Sequence, residues 1–206
     1  MKAAVVGLGR IATLFDDEPE RRASGEVWTH MAAYDRLSSI YDLVAVADPD
    51  ESRRNRARER GAGLRVFHSV EAMLAVEDLD VVSVCTPDST HLNVLEALAG
   101  RVRGVFLEKP LCAMNELPRA EALAKVLEDT NTSVRVNYYK RDEPMFVELL
   151  RCVEGQKVIH VCARYSGPFD AVGSHALNLL LWFLDNPRLA WCKSSPNAEG
   201  DGYSAL

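Results

Sequence analysis

The chain has 206 residues, of which 48% are hydrophobic and 26% charged, with a formal net charge of −6. This balance predicts a soluble globular chain with a sizeable core, in one large domain or two small ones. It argues against nucleic acid, whose binding uses a basic face. The five cysteines are odd in number and form no CxxC, which predicts reduced structural thiols in a cytoplasmic protein. The histidines lack zinc-ligand spacing, so no metal is expected. The apolar run Ala3–Val6 ends at Gly7, with Arg10 following, and is too short for a signal peptide. The longest later run, Leu179 to Leu184, falls far below the roughly 20 residues of a membrane span, and no membrane partner is expected.

Ala3–Val6 reads as a buried strand ending in a tight turn, Gly7-Leu8-Gly9. Leu43–Ala47 is a second strand, closed by Asp48-Pro49. Arg53–Arg60 follows as a helix whose arginines form a solvated face. Val66-Phe67 is a short strand, and Ser69 caps a helix running to Val76. Asp80–Cys85 is a β-branched strand. Pro87 and Asp88 open a helix with Leu92, Leu95 and Leu98 on one face, ended by Gly100. Gly104–Leu107 (strand), Leu117–Leu127 (helix) and Ser133–Tyr138 (strand) complete an alternation that signals a doubly wound parallel sheet. Beyond it, a helix at Pro144–Val153, a strand at Lys157–Tyr165, a helix at Ser174–Leu184 and a strand at Leu189–Cys192 change the rhythm. The expected division is a Rossmann domain over 1–139 and a partial α+β domain over 140–206.

Gly7-Leu8-Gly9-Arg10-Ile11-Ala12 is a GxGxxA element placed between a strand and a helix, the context that marks a dinucleotide site. Gly7 makes the turn, Gly9 lets the backbone approach a pyrophosphate, and Ala12 allows helix and strand to pack. Arg10 and Ile11 lie at the helix start, where the dipole favours anions. Asp48, after the second strand, is the expected acceptor of ribose hydroxyls and favours NAD, while Arg53 and Arg54 leave NADP open. The separation exceeds the usual one because Phe15 to Trp28, rich in charge, Pro and Gly, reads as an inserted loop.

Three further segments carry a resemblance: Cys85-Thr86-Pro87-Asp88-Ser89-Thr90-His91, Glu108-Lys109-Pro110-Leu111, and Gly173-Ser174-His175 leading into a Leu/Trp-rich helix. In this order after the GxGRIA start, the chain resembles the glucose-fructose oxidoreductase, inositol dehydrogenase and rhizopine-catabolism (Gfo/Idh/MocA) family. The resemblance implies a Rossmann domain followed by an α/β domain with a large, mostly antiparallel sheet. It also implies NAD(P)-dependent hydride transfer at a hydroxyl or carbonyl carbon of a sugar, cyclitol or related polyol, and a homo-oligomer. Thr86 and Pro87 then line the nicotinamide side and His91 is the histidine of that loop. Glu108 precedes Lys109, the catalytic acid/base, and His175 is the second active-site position. Tyr138 and Arg141 match the segment leaving the last Rossmann strand; there Tyr138 is either core or substrate-facing, and Lys140 and Arg141 suit an anionic substrate. Tyr165 is similar.

The residues also make sense by themselves. Thr86, His91 and Lys109 follow the carboxyl ends of predicted parallel strands, where open sheets bind ligands. A lysine there can take a hydroxyl proton as hydride leaves the same carbon, with Glu108 orienting it. Family members place aspartates four residues before and three after the histidine; this chain has Ala171 and Asn178 there, with Asp170 one residue early. Asn178 can hydrogen-bond a hydroxyl but cannot act as a base. The chain also ends at Gly202–Leu206, inside what resembles the second domain, so most of the large sheet is expected to be missing. A competing reading, from a different class, is therefore a catalytically silent dinucleotide-binding sensor or scaffold. A third is an epimerase-like enzyme that retains and recycles NAD.

Overall fold

A computed structural model describes residues 1–60, 63–156, 158, 160–167, 172–184, 194–196 and 203–205. The chain separates into two units, Met1–Asn137 and Tyr138–Leu206. Asn137 falls in the first because its backbone N–H donates to the Leu107 carbonyl at 2.7 Å, tying it to the sheet.

Unit 1 is built on six parallel strands: β1 (Lys2–Val6), β2 (Asp42–Ala47), β3 (Arg65–Phe67), β4 (Val81–Val84), β5 (Gly104–Leu107) and β6 (Ser133–Val136), in the spatial order β3-β2-β1-β4-β5-β6. This is the doubly wound order, with its reversal between β1 and β4. Alternation along the strands decides which side chains face which layer. Ala4, Val6, Ala45, Ala47, Val82 and Val84 pack under α4 (Val70–Leu74), α5 (His91–Leu98) and α6 (Leu117–Asp129), against Met73, Leu95 and Leu123. Val5 and Val46 point the other way, toward Met31 of α2 (His30–Arg36) and Ala57 of α3 (Glu51–Glu59). Ser69 caps α4 as expected, its hydroxyl accepting from the Ala72 N–H at 3.2 Å. Asp50 caps α3 in the same way, from Arg53 N–H at 3.1 Å. Ala57 is the only buried residue of α3, so its arginines do form a solvated face.

The inserted segment departs from expectation. The helix after the glycine-rich turn is a single π-helical turn, Arg10–Leu14, and Phe15 to Trp28 is not a loop. It holds a 3-10 turn at Phe15–Asp17 and a short helix, α1 (Pro19–Ser24), with proline in its first turn. The charges that suggested a loop organise it instead. Glu18 bridges Arg10 (2.6 Å) and Arg21 (3.0 Å), and the Arg21 guanidinium lies 4.0 Å from the Phe15 ring centroid and 4.8 Å from that of Trp28. Asp16 accepts from the Trp28 N–H at 2.7 Å and from the Thr29 hydroxyl, and Thr29 then caps α2.

Unit 2 contains a 3-10 turn at Tyr139–Asp142, then α7 (Pro144–Val153) and α8 (Ser174–Phe183). Two short strands, β7 (Ser194–Pro196) and β8 (Tyr203–Ala205), pair antiparallel. The expected strand over Lys157–Tyr165 does not form at its described residues, 158 and 160–165. A strand exists only with a neighbour to complete its ladder, and no described segment pairs with this one. The expected strand at Leu189–Cys192 lies outside the described residues, as does Cys192 itself. No helix among the described residues is long and apolar enough to cross a membrane.

Candidate active site

The glycine-rich turn is shaped by contact with the loop after β4. Gly7 adopts φ +86°, and a Cβ there would lie 2.7 Å from the Cys85 carbonyl carbon and the Thr86 nitrogen. Only glycine accepts both that conformation and that approach. A Cβ on Gly9 would meet nothing within 4 Å, so space beside that backbone is open. The N–H groups of Ala12 and Thr13 donate back to the Gly9 carbonyl. In such a turn the amides ahead of the first bonded one, those of Arg10 and Ile11, remain for an anion.

Asp48 is buried and braces this turn. Its Oδ2 accepts from the Leu8 N–H at 2.6 Å, and its Oδ1 from the Asp50 N–H at 2.8 Å. The Arg53 guanidinium approaches Oδ2 at 3.5 Å. A carboxylate has about four acceptor sites, so two amides leave capacity for ribose hydroxyls. Arg54 is committed elsewhere, donating to the carbonyls of Asp48 (2.9 Å) and Pro49 (2.6 Å). The option of a 2′-phosphate therefore rests on Arg53.

A cavity of about 380 Å³ runs from the glycine turn across the β1/β4 reversal, lined by Gly7, Asp48, Arg53, His68, Thr86 and Pro87 among others. The Thr86 hydroxyl in it is buried and has no hydrogen-bond partner among the described residues. Buried hydroxyls without partners are rare and point to a group bound from outside. The open approach at Gly9, the braced Asp48 and the orphaned Thr86 hydroxyl fit a dinucleotide.

At the carboxyl end of β5, Glu108 is held from two sides. The His30 Nε2 lies 2.9 Å from its Oε1, and the Asn137 Nδ2 donates to the same oxygen at 2.7 Å. His30 is buried and its ring sits 5.3 Å from that of Phe106. Burial by itself pushes the Glu108 carboxyl up, but the hydrogen bonds from His30 and Asn137, with the charges of His30 and Lys109, outweigh it and hold the carboxyl below its ordinary value. Burial and the Glu108 charge push the neighbouring Cys85 thiol well up.

Lys109 follows, half-buried, and its peptide bond to Pro110 is cis. His91 lies beneath rather than along the cleft. It is 1% exposed, with Nδ1 2.8 Å from the Pro110 carbonyl and Nε2 2.9 Å from the Thr86 carbonyl. It thus straps the Lys109 loop to the Thr86 loop through their backbones. Sequence reasoning missed His30 entirely and assigned Asn137 no partner. These residues stand 78 and 29 positions from Glu108, and no local pattern links them.

In unit 2, α8 places His175 and Asn178 three residues apart on one face. His175 is buried, with the Tyr138 and Tyr139 rings edge-on at 5.5 and 5.1 Å. Burial raises the Tyr138 phenol, against the opposing pull of the Ser174 hydrogen bond and the Arg141 charge. Arg141 donates from Nε to the Asn178 Oδ1 at 2.6 Å and from Nη2 to the Asn178 carbonyl at 3.0 Å. Tyr165, half-buried, lines an apolar cavity of about 690 Å³ with Phe146, His175 and Leu179. Asp170 and Ala171 lie outside the described residues.

The model of an oxidoreductase family with an NAD-binding Rossmann fold, Gfo/Idh/MocA, matches residues 1–138. Inositol 2-dehydrogenase of Rhizobium meliloti is 31% identical over 117 residues, covering 56% of this chain and 34% of that protein. Inositol 2-dehydrogenase 4 of Saccharopolyspora erythraea is 30% identical over 196 residues, covering 86% of this chain and 56% of that protein. The chain thus spans about a third to just over half of these relatives. The scyllo-inositol dehydrogenase of Lactobacillus casei, solved with NAD(H) and scyllo-inositol, superposes with a TM-score of 0.67 at 18% identity, covering 89% of this chain and 56% of that one.

Proposed function

The chain belongs to the Gfo/Idh/MocA oxidoreductase family, and from that premise we propose that it is an NAD-dependent oxidoreductase of a sugar, cyclitol or related polyol. The observation that carries this reading is the Glu108-Lys109 pair at the end of β5, its carboxylate clamped by His30 and Asn137. The named activities of the inositol dehydrogenase relatives support the substrate class.

In this reading the amides of Gly9, Arg10 and Ile11 hold the pyrophosphate, Asp48 holds the adenosine ribose, and Thr86 and Pro87 border the nicotinamide. The nicotinamide, when bound, supplies hydride acceptance or donation at the carbinol carbon. Lys109 Nζ accepts the hydroxyl proton in the oxidative direction and returns it in the reductive one. Glu108 is too enclosed to serve as that base. It anchors the backbone from which Lys109 projects and places a negative charge beside the ammonium form. His91 holds the same loop from below. His175 is assigned as a substrate or proton-relay residue, and Tyr138 and Tyr165 as substrate-side residues. The free thiols at Cys85, Cys112, Cys152 and Cys162 suit a reducing compartment such as the cytoplasm. Exposed Met145 and Leu149 on α7 support self-association.

The test is NADH formation at 340 nm with a panel of cyclitols and sugars. Lys109→Ala should lower turnover by about 10²–10⁴-fold, the range for loss of a general acid/base, while NADH binding, followed by fluorescence, persists. Unchanged turnover in that variant would remove Lys109 from the chemistry.

A further inference from the structure

Arg141 is positioned unlike an ordinary surface arginine. Its guanidinium is half-buried and lies 5.7 Å from the Trp182 ring centroid, with two of its N–H groups spent on Asn178. Both acceptors are neutral, one an amide oxygen and the other a backbone carbonyl. Among the described residues no carboxylate lies within ion-pairing distance of Arg141. The nearby acid Glu143 instead faces Lys140, 3.8 Å away. An arginine carries five N–H donors in a rigid plane, so three remain after Asn178 has fixed the plane.

A pre-oriented, partly desolvated guanidinium with no counter-charge among the described residues is matched to an oxyanion, which accepts two parallel N–H bonds from such a fork. The groups around it reinforce the match. His175, three residues from Asn178, and the Tyr138 phenol can donate to hydroxyls, and neither adds a fixed negative charge. The neutral side chain at 178 matters most. An aspartate there would satisfy Arg141 internally, whereas asparagine orients it and leaves its charge for a ligand.

We propose that Arg141, oriented by Asn178, is an anion clamp, and that the substrate is a polyol or sugar derivative carrying a carboxylate or phosphate. This rests on the reading that residues of unit 2 hold the substrate. It goes further by naming the substrate's charge.

The experiment uses the full chain and matched probes: glucose, gluconate and glucose 6-phosphate, with inositol and inositol monophosphate as a second set. Binding is followed by calorimetry with NADH present, and turnover by absorbance at 340 nm. Within at least one set an anion should bind about ten- to a hundredfold more tightly than its neutral parent, the worth of a charged hydrogen-bond pair. The carboxylate and phosphate arms decide which oxyanion is preferred. Arg141→Gln should collapse that ratio toward one. Asn178→Asp, which keeps the arginine but supplies an internal counter-charge, should collapse it as well. Circular dichroism establishes that each variant is folded, and either folded variant suffices. Anion preference without any turnover would sustain the clamp and refute the oxidoreductase reading. Turnover of neutral polyols without anion preference would do the reverse. No anion binding above the neutral parent in either set overturns the clamp.

Discussion

Replacing His30 with alanine tests the support beneath the catalytic lysine. The substitution removes a 2.9 Å contact to a carboxylate whose side chain is 13% exposed, and a ring packed 5.3 Å from Phe106. A hydrogen bond to a charged group contributes about 1.5–3 kcal/mol, and a tilted aromatic pair about 0.5–1.5 kcal/mol. Asn137 still donates to Glu108, so the carboxylate is weakened rather than abandoned. The expected loss is about 2–4 kcal/mol. With a urea dependence of roughly 2 kcal/mol per molar, the unfolding midpoint should fall by about 1–2 M, followed by circular dichroism and by the fluorescence of nearby Trp28. A double-mutant cycle with Glu108→Gln isolates the pair and should return a coupling of about 1–3 kcal/mol. The pH dependence has a definite sign. The Glu108 carboxyl is held below its unfolded value of about 4.3. Its contribution to stability is therefore complete above that pH and is lost as pH falls through the lower, folded value. The Glu108→Gln variant should lose this acid limb. A coupling under about 0.5 kcal/mol, with an unmoved midpoint in His30→Ala, would refute the clamp on Glu108.

Two further predictions concern the cofactor cleft. Thr86→Val removes a buried hydroxyl without a partner; the free chain should melt at the same temperature or higher, while NADH binding weakens about five- to twentyfold, the worth of one neutral hydrogen bond. A stability loss instead would mean that the hydroxyl is bonded within the chain. Gly7→Ala forces a Cβ to 2.7 Å from the backbone at Cys85 and Thr86, at φ +86°. The turn must move, so NADH affinity should fall by at least tenfold and stability by about 1–3 kcal/mol; wild-type binding in this variant would show that the approach is not needed.

Much of unit 1 was legible because its signals are local. β-branched runs such as Val81–Val84 alternate with helices marked by caps at Ser69 and by Gly100, whose φ of +69° ends α5. Ala3–Val6 read as a buried strand from its apolar run, and the fold then sends Ala4 and Val6 to one layer and Val5 to the other. The glycine turn, Asp48, Thr86 and the Glu108-Lys109 pair were legible for a related reason. Each sits at the end of a recognisable strand, and strand ends in a parallel sheet converge on one edge.

What failed was whatever depends on partners distant in the chain. Phe15 to Trp28 read as a loop because its composition is charged, yet those charges pair with one another and with the rings of Phe15 and Trp28. Lys157–Tyr165 read as a strand from its own residues, but a strand is a property of two segments and this one pairs with no described neighbour. His91 carried a cofactor role by resemblance, whereas its two ring nitrogens face the carbonyls of Thr86 and Pro110.

By itself the sequence determined the parallel sheet, the dinucleotide turn and the lysine that follows β5, because hydrophobic period and turn chemistry are written in neighbouring residues. Only the tertiary structure decided that His30 and Asn137 clamp Glu108, that Asp48, expected as an acceptor of ribose hydroxyls, also braces the glycine turn, and that Asn178 aims Arg141. These are contacts across 29 to 78 positions. Hydrogen-bond geometry is set by where folded backbones bring side chains together, and a linear pattern holds no trace of that distance.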